Sequence, residues 1–567
     1  MMGGLTLFAG VALLALAAPF ELATPLVRLP SQSVSTLETA VLAAFAVWAV
    51  ASASTRRMPE WRTPLTLPWV ALLAAMLVAS LLSPVSRVNA LHMTGRLAAA
   101  FGVYLLTVNG VTTRARLRTL LALAVVVGLA VSVLAILEYL GVQPVLSWLK
   151  AFRPDVATVG AQVRAGGPLQ YPTIASMYLE IVFAMGLGLL LAQVDDRRWI
   201  TVAAVFVALV VVGEGITVTF TRAGLLTMVA SLALAGATRV SARGLDAGAR
   251  IVGALALVVA ALFATSRSAE SLWLRFTTEG QGAWYRAAIA APRDLEVPTG
   301  RIALVPVAAT NTGRIAWDST ADPPIVLSYH WLPPDGDRFV SFEGARTAFA
   351  GRVEPGTTAV VNARVVPPRQ PGRYRLEWDL AEEGLLWFST EPGAVRQMSR
   401  AIVTGQPADA PAVPMLPPVK RTIRPGRFVL WRAAARIVAA HPLVGIGPDN
   451  FRLAYGGYAG IASADTRTHS NNMYLEMLTG GGLLAGAAFA WLLWRAAGCV
   501  GAGLRAAAPR GGALAIGVAA AALAIALHAT VDSFLSFAPT YVLISLTLGC
   551  AVACARGVES GLDANRV

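Results

Sequence analysis

His469 is the residue of this chain best suited to chemistry. It stands in Arg467-Thr468-His469-Ser470-Asn471-Asn472-Met473-Tyr474-Leu475-Glu476, ahead of Gly480, Gly481 and Gly482, where a long polar stretch meets an apolar run. An imidazole with a pKa of about 6.5 accepts a proton near neutral pH, so His469 is a candidate general base. The plain alternative is a histidine that caps the next helix, and it is the reading for His92, His330, His441 and His528. Arg222, in Thr219-Phe220-Thr221-Arg222-Ala223-Gly224, is the second candidate. Hydropathy places it about two turns inside an apolar run, where arginine is costly unless it meets water or an anion. Snorkelling to an interface, or pairing with Glu214, would also account for it. Arg427 is the third, opening a helical pattern before Trp431 among Lys420, Arg421, Arg424 and Arg432. Guanidinium groups match phosphate oxygens with paired donors. One base and two arginines fit transfer chemistry with a diphosphate leaving group: the histidine deprotonates an attacking hydroxyl and the arginines stabilise the departing anion. Asp449 and Asp465 stand apart from other acids, so neither a metal nor a cofactor is expected.

These residues need a scaffold, and composition indicates which. The 567 residues are 56% hydrophobic and 14% charged, as in polytopic membrane proteins. Apolar runs near 4–22, 36–54, 67–83, 91–108, 117–140, 173–193, 199–213, 216–238, 250–266, 472–494, 512–530 and 536–555 predict about twelve spans. Arginines concentrate in the even-numbered loops: Arg56, Arg57 and Arg62; Arg114, Arg116 and Arg118; Arg197 and Arg198; Arg239, Arg243 and Arg250; Arg495, Arg505 and Arg510. The positive-inside rule then puts both termini in the cytoplasm and the long loop outside. The net charge of +14 is mostly this topological arginine and no sign of nucleic-acid binding. The first apolar run lacks a basic leader and reads as an uncleaved span. Cys499, Cys550 and Cys554 fall in or near the last spans, away from the long loop.

Within that loop the pattern changes from about residue 290. Stretches at 302–309, 325–331, 358–365 and 374–380 read as strands, separated by Asn311-Thr312-Gly313, Pro333-Pro334-Asp335-Gly336, Pro355-Gly356 and Pro371-Gly372. Short strands with such turns predict an antiparallel, immunoglobulin-like β-sandwich. The expected fold class is thus an all-α polytopic membrane protein with a β-sandwich inserted in one large external loop. The expected division is 1–266, spans one to nine; 267–289, connector; 290–405, β-domain; 406–419, Pro-rich linker; 420–471, helical loop with the site residues; 472–556, spans ten to twelve; and 557–567, a cytoplasmic tail. The helical pattern from Arg427 should stop before His441-Pro442, because a residue preceding proline is driven out of the helical region.

The chain resembles the O-antigen ligase and polymerase superfamily of bacterial polytopic membrane glycosyltransferases. The resemblance rests on Arg164-Ala165-Gly166-Gly167 with Tyr171-Pro172-Thr173, on Thr221-Arg222-Ala223-Gly224, and on Gly426-Arg427 with Trp431. It continues in His441-Pro442-Leu443-Val444-Gly445-Ile446-Gly447-Pro448, Asn450-Phe451 and His469-Ser470-Asn471-Asn472 with Leu475-Glu476 and the following glycines. It implies that His469 activates the acceptor hydroxyl and that Arg222 and Arg427 bind the diphosphate of a polyprenyl-diphosphate-linked glycan, with Arg164, Arg467 and Asn472 as supporting residues. It further implies inverting, metal-independent transfer at the periplasmic face of the bacterial inner membrane. The acceptor would be a glycan, lipid or protein hydroxyl, so an O-antigen ligase, a polymerase and an O-linked protein oligosaccharyltransferase all fit. The inserted β-domain departs from the family pattern. A transporter or flippase for lipid-linked glycan would need cationic residues along a path between spans, and the middle spans carry few. A structural assembly protein working through its β-domain is a further alternative.

Overall fold

A computed structural model describes residues 2–29, 32–55, 60–153, 157–159, 162–266, 284–321, 324–336, 339–383, 386–390, 394–409, 426–461, 464–507 and 512–559. Most of the 267–289 connector and of the 406–419 linker, with Lys420, Arg421 and Arg424, lies outside them. The chain forms two compact units. The first comprises Met1–Ala157, Val163–Arg267 and Ile423–Val567. Its helices are α1 (Met2–Ala17), α2 (Thr36–Thr55), α3 (Thr66–Leu81), α4 (Arg87–Gly110), α5 (Arg114–Tyr139), α6 (Gln143–Leu149), α7 (Pro172–Asp195), α8 (Trp199–Val218), α9 (Arg222–Arg243) and α10 (Ala247–Thr265). After the second unit come α11 (Arg427–Ala440), α12 (Phe451–Ala459), α13 (Met473–Ala507), α14 (Ala513–His528) and α15 (Ala538–Ala555).

Among the described residues eight helices are long and apolar enough to cross a membrane: α4, α5, α7, α8, α9, α10, α13 and α15. Shorter apolar helices cover Thr6–Ala17, Thr36–Val50, Thr66–Leu81 and Ala513–His528. Helix α7 is the hub, with its apolar window wholly buried. It crosses α14 where Gly188 and Gly517 let the backbones meet; a Cβ on Gly188 would lie 2.7 Å from the Gly517 Cα.

One boundary corrects the sequence reading. The spans expected at 199–213 and 216–238 part at residues 214–215, yet α8 runs through them to Val218. Gly215 suits this path because it packs directly on Ser132 of α5. The chain turns instead at 219–221, where Phe220 adopts φ 52° and the Thr219 hydroxyl donates to the Ile216 carbonyl, 2.7 Å. Arg222 is therefore the first residue of α9 and not two turns inside a span.

The second unit, Thr158–Gln162 and Ser268–Thr422, is built on two sheets. Strands β5 (Ala287–Ala290), β7 (Ala303–Asn311) and β9 (Thr358–Val365) form the first. In the second, β10 (Gly372–Glu382) pairs with β8 (Ile325–Leu332), β11 (Leu386–Trp387) and β12 (Gln397–Thr404), and β12 pairs with β6 (Asp294–Pro298). Val305, Val307, Ala363 and Val365 of one sheet share a core with Leu327, Tyr329, Trp331, Leu376, Trp378 and Leu380 of the other. Two features differ from the expected antiparallel alternation. The β12–β6 pair is parallel. Strand β8 is buried along its whole length, because Phe342, Trp387 and Arg346 cover its second face. The hairpins β1 (Val27–Leu29)–β2 (Gln32–Val34) and β3 (Ala157–Val159)–β4 (Gln162–Arg164), and the short helices α6 and α12, are further elements the hydropathy pattern does not announce.

Candidate functional site

The His469 loop is built by local hydrogen bonds. Asp465 accepts from the Arg467 N–H at 3.0 Å, and its carboxylate also holds the Arg467 guanidinium at 3.1 Å. The Ser470 N–H donates to Glu476 Oε1 at 2.6 Å. Asn472 caps α13, its Oδ1 accepting from Leu475 N at 3.0 Å while its Nδ2 donates to the Thr530 carbonyl at 2.9 Å. Trp431 of α11 donates its indole N–H to the Ser470 carbonyl at 3.1 Å. His469 is thereby held between two acids: its Nδ1 lies 3.7 Å from Asp449 Oδ1 and 3.8 Å from Glu476 Oε1. Both separations exceed a hydrogen bond, and Nδ1 is buried with no other partner among the described residues. The Phe537 ring stands edge-on, 6.2 Å away.

Asp449 reaches this position because residues 441–450 dock on two elements. Helix α13 breaks at Gly482, φ 62° and ψ −160°. The freed backbone pairs with the loop: Ile446 N to Thr479 O and Gly447 N to Gly480 O, both 2.9 Å, and Leu483 N to Pro442 O, 2.8 Å. A Cβ on Gly482 would fall 2.4 Å from the Leu443 backbone, so glycine is needed for both the angle and the approach. Asn450, wholly buried, ties the other side to the α3–α4 turn through Ser83 Oγ, 2.9 Å, and the Ser86 carbonyl, 3.0 Å, and accepts from Asn89 at 2.9 Å. Arg452 then grips Asp449 at 2.9 Å and Asn89 at 2.6 Å.

The arginines are placed by a second set of contacts. Arg164 donates to the Thr219 carbonyl, 3.1 Å, and the Thr221 hydroxyl, 3.3 Å, and so braces the turn that presents Arg222. Behind it, the buried Glu138 carboxylate accepts from Gly166 N, 3.0 Å, and Gly167 N, 2.9 Å, and pairs with Arg153. Burial pushes the Arg164 guanidinium down to about 10, opposed by Asp532 and reinforced by the like charge of Arg222. Asp532 in turn accepts from Met473 N through its backbone carbonyl, 3.1 Å, one residue past Asn472. Arg427 and Asp532 both lie in the electrostatic surroundings of His528, at the C-terminus of α14. Arg164, Arg222, Arg427 and His469 thus gather at one end of the helical unit. Arg222 and Arg427 are exposed, and among the described residues neither makes an ion pair. Arg467 is engaged by Asp465, and Asn472 is a cap and a clasp. Glu476 stood inside the motif without an assigned role, and Asp449 read as isolated. Asp532 and Glu138 carried no signal, since nothing in their spacing links them to the arginines.

The fold and site define a helical membrane protein with a histidine and flanking carboxylates at one end of its bundle, where Arg222 and Arg427 have no carboxylate partner among the described residues. Residues 410–490 match the O-antigen ligase family model, so this stretch of the chain is similar to that family. The match covers Arg427, Asp449, His469 and Glu476, whereas Arg164, Arg222 and Asp532 lie outside it. No curated protein matches the chain.

Proposed function

We propose that this protein transfers a glycan from a polyprenyl-diphosphate carrier to an acceptor hydroxyl at the periplasmic face of the bacterial inner membrane. In this reading the eight long and four shorter apolar helices make twelve spans, both termini are cytoplasmic, and the β-domain is an immunoglobulin-like module. The observation that carries the reading is His469 set between Asp449 and Glu476, at the same end as Arg222 and Arg427, which have no carboxylate partner among the described residues.

The two acids favour the tautomer with a proton on Nδ1, leaving Nε2 as the base. Nε2 takes the proton of the acceptor hydroxyl, whose oxygen attacks the anomeric carbon from the face opposite the diphosphate. The bond from that carbon to the diphosphate oxygen breaks and its electron pair leaves with the diphosphate, so configuration inverts. Arg222 and Arg427, with Arg164 behind, neutralise the charge that grows on the leaving group. This route uses no metal.

The test is reconstitution in lipid with a polyprenyl-diphosphate-linked glycan and three acceptors: a lipid, a second glycan and a hydroxyl-bearing peptide. Transfer to one of them names the acceptor class. Replacing His469 by Ala should lower the rate by about 10²–10⁴ while the protein stays folded. Wild-type transfer by His469→Ala would remove the base from the reading, and loss of activity on chelation, restored by Mg²⁺, would overturn the metal-free route.

A further inference from the structure

Beneath the arginines lies a buried polar cluster that the chemistry above does not use. Glu180 of α7 and His528, the last residue of α14, meet with Oε2 and Nδ1 2.8 Å apart, and their side chains are 0% and 1% exposed. Thr227 of α9 donates to the same Glu180 oxygen at 2.7 Å. Phe534 closes the far side, its ring edge-on to His528 at 5.5 Å. Ionisable groups this deep in a helical membrane unit are costly and call for a function. Every arm of the cluster leads to the site. Thr227 lies five residues after Arg222 on the same helix. The His528 carbonyl accepts from Val531 N at 2.9 Å and Asp532 N at 3.1 Å, which sets the turn carrying Asp532. That turn also presents the Thr530 carbonyl to Asn472 at 2.9 Å, three residues from His469.

We propose that Glu180, His528 and Thr227 are positioning residues for diphosphate binding. They join α7, α9 and α14 under the site and hold Arg222 and the 529–532 turn at a set spacing. None touches the reacting atoms, and the assignment rests on the glycan-transfer reading for the identity of the ligand. Three helices pinned at one carboxylate cannot slide past one another without breaking a buried charge-assisted hydrogen bond. The spacing of the guanidinium groups above them is therefore a property of the cluster.

The experiment measures binding of farnesyl diphosphate to the full chain in nanodiscs, which does not depend on transfer. Glu180→Ala and His528→Ala should each raise Kd about tenfold, and the double variant no further, because the pair acts as a unit. Glu180→Gln keeps an acceptor oxygen for Thr227 and His528 and should stay within about threefold of wild type. A merely structural role would lower Tm and leave Kd in place. If the alanine variants do not fold, Thr227→Val and Glu180→Asp carry the test, each expected to weaken binding at least about threefold. Wild-type Kd in both, or additive losses in the double alanine variant, would overturn the inference alone. Failure of the wild-type protein to bind farnesyl diphosphate would overturn the diphosphate site and this inference with it.

Discussion

The two ends of the helical unit differ in that only the His469 end presents exposed arginines, Arg222 and Arg427, without carboxylate partners among the described residues, beside the paired Arg153, Arg452 and Arg467. At the end away from His469, guanidinium groups are locked to acids. Arg239, 1% exposed, bridges Asp195 at 2.5 Å and Asp246 at 2.6 Å, and Arg243 adds a contact to Asp195 at 2.9 Å. Arg118 pairs with Asp196, and Arg556 with Glu60 at 2.7 Å. Glu559 caps α14 there, accepting from Leu514 N and Ala515 N at 2.8 Å. At the His469 end, Arg222 and Arg427 stand exposed without carboxylate partners among the described residues, and Arg164 donates to a carbonyl and a hydroxyl. Two of the acids there, Asp449 and Glu476, flank the histidine, and Asp449 is also held by Arg452. A cation with a carboxylate of its own is committed to the fold. One without is free to meet an anion from outside, and the contrast separates structural from functional arginines more sharply than their number.

Arg239→Ala should be the most damaging arginine substitution to stability. It strands two carboxylates against a buried gap, at a cost of about 3–5 kcal/mol, read as a large fall in Tm in detergent. Arg222→Ala should do the reverse, leaving Tm in place and lowering glycan transfer by about 10²–10³. Equal effects of the two on Tm would dissolve the contrast. Gly482→Ala would test the docking of the 441–450 loop, since its backbone angles suit glycine and its Cβ would meet Leu443. A loss of about 1–3 kcal/mol is expected, together with slower transfer as Asp449 shifts from His469. Thermal melts and rates measured on one preparation would show whether the two fall together. Arg556→Ala, breaking a pair whose side chains are 29% and 53% exposed, should change Tm by less than the equivalent of about 1 kcal/mol and leave transfer at the wild-type rate.

Much of this was readable along the chain. Apolar runs located most of the helices because burial in a membrane unit demands long hydrophobic stretches, although α13 runs on to Ala507 past the expected end at 494, and β9 spans the same residues, 358–365, that alternation indicates. Helix α11 stops at Ala440, where proline chemistry requires. The misplaced α8–α9 boundary has a local cause: Glu214 and Gly215 interrupt the apolar run, but Gly215 serves close packing on Ser132, and the true turn lies in the three residues 219–221. Arg222 moved from the interior of a span to its mouth on that account.

Residue type and local pattern establish that this chain is a helical membrane protein with a β-rich insertion, that His469 sits at the start of a helix, and that Arg222 and Arg427 are cations in unusual places. Which groups face them is a matter of distance in space, and Coulomb and hydrogen-bond energies fall off over a few ångströms whatever the separation along the chain. Asp449 meets His469 because Gly445, Gly447 and Gly482 let a loop pair with a broken helix. Asp532 enters the electrostatic surroundings of Arg164, on a turn between α14 and α15 that pairs with the start of α13. Which arginines are paired with acids, and that Arg222 and Arg427 have no carboxylate partner among the described residues, has no counterpart in any periodicity of the sequence.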